Sequence, residues 1–140
     1  MPRSLSIALT LTDTLFLVYW SLSGLAQARL VHIPPEWMYA HYDQPLVAAW
    51  NWSFLPLDLA FSLLGLSAVA AARRDSPVWR PLALLSLAFT MAAGAMAVSY
   101  WAILREFEPA WFLANLALVI WPLAFLPSLV KADARRGPTD

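Results

Sequence analysis

The sequence predicts an all-α fold: an integral membrane four-helix bundle with N- and C-termini in the cytoplasm. Three observations predict it. Of 140 residues, 61% are hydrophobic and 13% charged, whereas soluble domains carry about 45–50% apolar and about 25% charged residues. The apolar residues fall into four blocks, each near the roughly 20 residues needed to cross about 30 Å of hydrocarbon. The basic residues between those blocks collect on one side.

The first block, Leu5–Ala28, holds one charge, Asp13. Arg3 before it and Ala26-Gln27-Ala28 within it have the look of a signal peptide. The apolar stretch exceeds the usual 7–15 residues and contains a carboxylate, so a retained helix is expected. The second block, Leu46–Ala72, also holds one charge, Asp58. The third and fourth, Leu82–Leu104 and Pro109–Val130, hold none. These spans (5–28, 46–72, 82–104 and 109–130) form a single membrane domain over residues 1–140. Arg3, Arg73, Arg74, Arg80, Lys131, Arg135 and Arg136 lie on one side, and only Arg29 and Arg105 on the other. The excess of basic residues marks the cytoplasmic side.

The longest connection, Arg29–Pro45, contains Pro34-Pro35, Trp37, Tyr39 and Tyr42. Adjacent prolines stop a helix, and the aromatic residues suit a segment resting at headgroup level over the outer mouth of the bundle. Eight tryptophans favour the membrane boundary. Zero net charge offers no basic surface, so no nucleic-acid partner is expected. The absence of cysteine removes disulfides and thiolate chemistry. His32, Glu36, His41 and Asp43 match no helical ligand spacing, and no metal site or cofactor is expected.

Intramembrane acids are rare and functional by default. Asp13 lies eight residues into its span, about 12 Å, and Asp58 twelve residues into its own from the other side, about 18 Å. Both depths fall near mid-membrane. Helical spacing places Asp13 on a stripe with Ser6, Thr10, Leu17, Trp20, Gly24 and Gln27. Asp58 shares a stripe with Asn51, Leu55, Ser62 and Gly65. Span three offers Ser86, Thr90, Ala93, Ala97 and Tyr100. Span four offers Trp111, Asn115, Leu118, Pro122 and Phe125. Four such stripes imply a polar centre. No Lys, Arg or His lies inside a span, so two facing carboxyls are not both expected to stay charged. The structural alternative is an acid tying helices together through Thr10, Thr12 or Thr14. Pro56 and Pro122 are expected to kink their helices, and Gly94 among alanines offers a close-packing surface within the chain or between copies.

The expected site is a cavity binding a small lipophilic or amine ligand through paired acids, lined by Asp13, Asp58, Asn51, Trp20 and Asn115, to which the likeness described next adds tryptophan walls. A carboxylate beside aromatic walls suits a protonated amine. The acid pair also suits a lipid or sterol-type isomerase, or a proton-coupled transporter working as an oligomer. A structural accessory subunit is the fourth alternative. Besides the lipid bilayer, a homodimer partner is considered.

The run Ala48-Ala49-Trp50-Asn51-Trp52-Ser53-Phe54-Leu55-Pro56-Leu57-Asp58-Leu59 resembles the signature of the YvaD-like family of small, uncharacterised bacterial membrane proteins. Thr12-Asp13, Tyr19-Trp20 and Ile33-Pro34-Pro35-Glu36 support the resemblance. It implies the bacterial cytoplasmic membrane and leaves function open. In architecture the chain is also similar to the EXPERA group, which includes emopamil-binding sterol isomerases and the sigma-2 receptor. That likeness implies a central cavity with acids in the role of Asp13 and Asp58, and Trp20, Trp50 and Trp121 as walls. The His/Glu set of the isomerases is missing from the spans.

Overall fold

A computed structural model describes residues 1–39 and 41–134. Among these, six α-helices and one short 3-10 turn account for the regular structure, and there is no strand. Four helical segments are long and apolar enough to cross a membrane: Arg3–Gln27, Pro45–Arg73, Trp79–Leu104 and Pro109–Lys131. The chain is thus a multi-pass membrane protein. Four crossings bring Arg3 and Lys131 to one face, here termed the terminal face.

The first crossing is one unbroken helix, α1 (Arg3–Gln27). The second is two: α2 (Pro45–Trp52) and α3 (Leu55–Arg73). The break at Ser53–Phe54 follows from Pro56, which has no N–H for the carbonyl four residues back and whose ring crowds it. The chain tightens there, and Phe54 N donates to Asn51 O at 3.1 Å. The third crossing is α4 (Trp79–Leu104). The fourth is again divided, into α5 (Pro109–Leu123) and α6 (Leu126–Ala134). Its break was expected at Pro122. It lies instead at Ala124–Phe125, the same distance ahead of Pro127 as the first break lies ahead of Pro56. Pro122 stays inside the last turn of α5, fully buried.

The connections close their helices with local chemistry. Arg29 and Arg105 take left-handed backbone (φ 59 and 58°) just past α1 and α4. Leu30 N then reaches Leu25 O at 2.9 Å, and Glu106 N reaches Trp101 O at 3.1 Å, satisfying the last carbonyls. Glu108 caps α5, its carboxylate accepting from Ala110 N at 3.3 Å and Trp111 N at 2.7 Å, with Pro109 at the first helical position. Glu108→Ala should cost about 1 kcal/mol, the usual worth of an N-cap, read as a lowered melting temperature in detergent.

Helix α3 packs against α1 on one side and α4 on the other, and α4 packs against α5. α1 and α5 do not pack along their length and meet through side chains, Tyr19 against Trp111. Toward the terminal face the interior is aliphatic: Leu5, Leu9, Ala68, Val69, Ala83, Leu87 and Leu129. Toward the far face it is aromatic, built on Trp20, Phe54, Phe61, Tyr39 and Trp101. The buried faces of α3 and α4 are those expected, with Asp58, Ser62, Gly65, Ser86, Thr90, Ala93 and Ala97 all buried. On α1 the buried face is rotated. Asp13 and Trp20 belong to it, but Leu5 and Leu9 take the places expected of Ser6 and Thr10, and Thr10 is exposed. The aliphatic layer needs leucines there.

Candidate functional site

Each acid is seated by a small or aromatic neighbour. Asp58 stands in the first turn of α3, just after the break, where Trp20 of α1 reaches it. Trp20 Nε1 donates to Asp58 Oδ2 at 2.9 Å in a buried contact. Asp58 Oδ1 is buried and has no hydrogen-bond partner in the protein. Asp13 sits against Gly65 of α3, where a Cβ would overlap its Oδ2 and would lie 2.8 Å from Ser86 Oγ of α4. Neither oxygen of Asp13 has a partner, and the Thr10, Thr12 and Thr14 hydroxyls do not tie it.

The two acids are therefore not a pair. Asp13 and Trp20 are seven residues apart on α1, and Gly65 and Asp58 seven apart on α3, each about 10 Å of rise. Both helices give the same offset, because Asp13 lies at the level of Gly65 and Asp58 is reached by Trp20. The expected facing arrangement is replaced by two separate carboxyls stacked along the α1–α3 seam.

The upper one opens on a cavity. A chamber of about 230 Å³ is lined by Asp58, Trp20, Trp50, Asn51 and Asn115, five of the seven residues expected at a site. Phe16, Tyr19, Tyr39, Phe54, Trp101 and Trp111 complete an aromatic wall, with Ala93 and Ala97 giving it room on the α4 side. Asp13 and Trp121 are not in it. Asp13 is sealed below, and Trp121 packs on the aliphatic layer with its indole N–H unpartnered. Leu15, which is 57% exposed, and Leu118 also line the chamber. The chamber thus reaches the apolar surface between α1 and α5.

A second space of about 490 Å³ lies beneath the first connection, lined by His32, Pro35, Trp37, Tyr42 and Gln27 among others. Tyr19, Tyr39, Asn51 and Trp111 border both spaces. Asn51 Nδ2 donates to the Tyr19 hydroxyl at 3.2 Å. Tyr39 and Tyr19 each meet Trp111 edge-on, at 6.0 and 6.2 Å between ring centroids. These four side chains form the partition. Burial, and then the nearby Tyr19, push the Tyr39 phenol above its usual pKa, so it stays a neutral donor. Trp50 stacks on Tyr100 at 3.8 Å, which fixes its ring against α4. Asn115 commits one amide hydrogen to Trp111 O at 2.8 Å.

Tyr19, Tyr39 and Trp101 were not among the expected site residues. Tyr19 borders the polar stripe of α1 rather than lying on it, and Tyr39 comes from the connection, which carries no periodicity. Gly94 resolves as an internal contact: a Cβ there would stand 2.6 Å from Asn115 O and 2.8 Å from Leu118 Cβ. The close-packing surface of α4 is used by α5.

Residues 5–136, nearly the whole chain, match the model of DUF5360, a family of unknown function. The chain belongs to the DUF5360 family. It is 36% identical over 133 residues to the uncharacterised protein YvaD of Bacillus subtilis (strain 168), an alignment covering 95% of this chain and 96% of that protein. The resemblance to the YvaD-like family is thereby shown. No solved structure matches, and the likeness to the EXPERA group rests on architecture alone. The DUF5360 match supplies no activity.

Proposed function

We propose that this DUF5360 protein is a binding protein of the bacterial cytoplasmic membrane, with both termini cytoplasmic, and that its chamber takes a small lipophilic amine. The observation that carries the reading is Asp58, a buried carboxyl that lines a chamber walled by aromatic rings and whose Oδ1 has no partner in the protein. Trp20 holds the other oxygen, which fixes the carboxyl's orientation and leaves Oδ1 to accept from a ligand. An ammonium would meet a counter-ion at Asp58 and ring faces around it, the combination that favours organic cations over metal ions. The chamber is smaller than the roughly 300–1,000 Å³ of drug-sized sites. A compact head group suits it, with an apolar tail lying toward Leu15 and Leu118.

The isomerase and proton-relay alternatives draw on two carboxyls acting together. With about 10 Å of helix rise between the acids, they gain no support from the geometry. Orientation with the termini in the cytoplasm is supported by Arg3, Arg73, Arg74, Arg80 and Lys131 on that face against Arg29 and Arg105 on the other; Arg135 and Arg136 lie outside the described residues.

The test is binding of a hydrophobic tertiary amine to purified protein in nanodiscs, read by tryptophan fluorescence and calorimetry. Asp58→Asn should weaken binding at least about tenfold, the loss expected for a charge-assisted hydrogen bond of about 1.5–3 kcal/mol. A neutral isostere of the same probe should bind wild type and variant alike. Equal affinity of the amine for both would overturn the reading.

A further inference from the structure

The chamber has a larger neighbour on its far side. The second space, beneath the first connection, measures about 490 Å³ against the chamber's 230 Å³. Gln27, His32 and Trp37 on its rim are exposed, so it opens at the face opposite the termini. Trp37, Tyr42 and Trp52 add ring faces to those of the shared partition. Among the described residues no Asp, Glu, Lys or Arg lines it. A cation meets aromatic faces that attract it, no counter-ion to hold it and no fixed like charge to repel it. Such a lining suits brief docking and passage.

Two approaches lead to Asp58. Past Leu15 and Leu118 the wall is aliphatic, and an ammonium there would lie in hydrocarbon without a partner, at high cost. The approach from the second space crosses Tyr19, Tyr39, Asn51 and Trp111, which line both spaces. Tyr19 and Asn51 latch this approach. The Tyr19 hydroxyl donates to Asn51 Oδ1 at 3.3 Å and accepts from Nδ2 at 3.2 Å. Both contacts lie at or beyond the long end of the usual range, so the latch is weak. Asn51 stands on the eight-residue α2, which ends at the Ser53–Phe54 break and belongs to none of the packed helix pairs. Side chains hold this helix in place, Trp50 on Tyr100 and Trp52 against Trp20. We infer that the second space is the entry vestibule and outer subsite of the chamber, where an organic ammonium arriving from the far side docks on ring faces before the Tyr19–Asn51 latch admits it to Asp58. The ligand's identity rests on the amine reading above, whereas the route is tested without it.

The chain has no cysteine, so Ala97→Cys, in the chamber wall and 5% exposed, supplies a single thiol. The probe is a quaternary-ammonium methanethiosulfonate, permanently charged and excluded from hydrocarbon. It is applied to the full chain in nanodiscs, and the rate of thiol modification is followed by mass spectrometry. Ser23 borders the second space and not the chamber. Adding Ser23→Trp should slow modification at least about tenfold, by obstructing the only route open to a fixed charge. Ser23→Phe, a smaller insertion, should act in the same direction. Leu25→Trp, at a residue bordering neither space, should leave the rate unchanged. Tyr19→Phe keeps the ring and removes the latch, and should speed modification about three- to tenfold. A thiol that resists the charged probe in every variant would overturn the route. So would Ser23→Trp and Ser23→Phe rates equal to that of Leu25→Trp. An unchanged rate in Tyr19→Phe would remove the latch from the proposal's grounds and overturn it as the gate. Amine affinity is read at equilibrium through Asp58→Asn and the route through a labelling rate, so either can fail while the other stands.

Discussion

Gly94→Ala should be among the most damaging single substitutions in the chain, although it adds one methyl group. The new Cβ would stand 2.6 Å from the Asn115 carbonyl oxygen, 2.8 Å from Leu118 Cβ and 3.2 Å from Val119 Cγ2. The first of these is backbone inside α5 and cannot rotate away. Relief requires α5 to move off α4 as a unit. Overpacking costs about 1–3 kcal/mol, and a rigid obstacle argues for the upper part of that range. Lipid offers no hydrophobic force to pull the helices back, since their association rests on close packing. The displacement also carries Trp111, Asn115 and Leu118 away from the chamber they line. The expected outcome is a melting temperature lowered by several degrees, a red-shifted tryptophan emission and weaker amine binding together. Gly24→Ala is the control, because a Cβ there meets nothing within 4 Å. If the two variants melt alike, the α4–α5 seam is not packed as described.

Much of this bundle was legible in the sequence because lipid imposes a simple rule. Outward faces are aliphatic, so polar and small residues at helical spacing report the inside. That rule located the buried faces of α3 and α4. It also placed Asp58, Trp20, Asn51 and Asn115 where a chamber is found. It misjudged α1, where leucines are needed inside the terminal layer and Thr10 is left facing out. A period alone does not distinguish a face set by polarity from one set by packing.

Depth was harder to read than direction. Counting residues at about 1.5 Å each put the two acids near one level, but that count treats residues 46–72 as one straight helix. The break at Ser53–Phe54 removes the premise. What fixes the acids' register is not distance from a span end but two local fits, the Trp20 indole to Asp58 and the Asp13 carboxyl to Gly65. Neither is a periodic signal. The role of Pro127 over Pro122 follows similar logic: a proline disrupts the carbonyl four residues back, so the break precedes the proline that causes it. The chamber's partition escaped notice for another reason. Tyr39 belongs to a connection whose path over the helices depends on tertiary contacts with Trp111 and Trp101.

The fit of Asp13 to Gly65 makes the sharpest test of the register, through a double-mutant cycle. Gly65→Ala puts a methyl group where the carboxyl oxygen lies and 2.8 Å from both Asp13 Cγ and Ser86 Oγ. A fully buried Asp13 has no solvent to swing into, so α1 must shift from α3, at a cost of about 1–3 kcal/mol. Asp13→Ala removes the carboxyl and leaves a gap beside Gly65. Made together, the two changes place the alanine methyl in that gap. The pair should be less destabilised than the sum of the single variants by about 1 kcal/mol or more, within the range for residues in direct contact. Asp58→Ala with Gly65→Ala should instead be additive, because Asp58 lies two turns away on the same helix. Additivity in both cycles, measured from melting in nanodiscs, would place Asp13 somewhere other than against Gly65. Coupling in the first alone fixes the offset of the two acids along the α1–α3 seam, and with it the separation of Asp13 from the chamber that Asp58 lines.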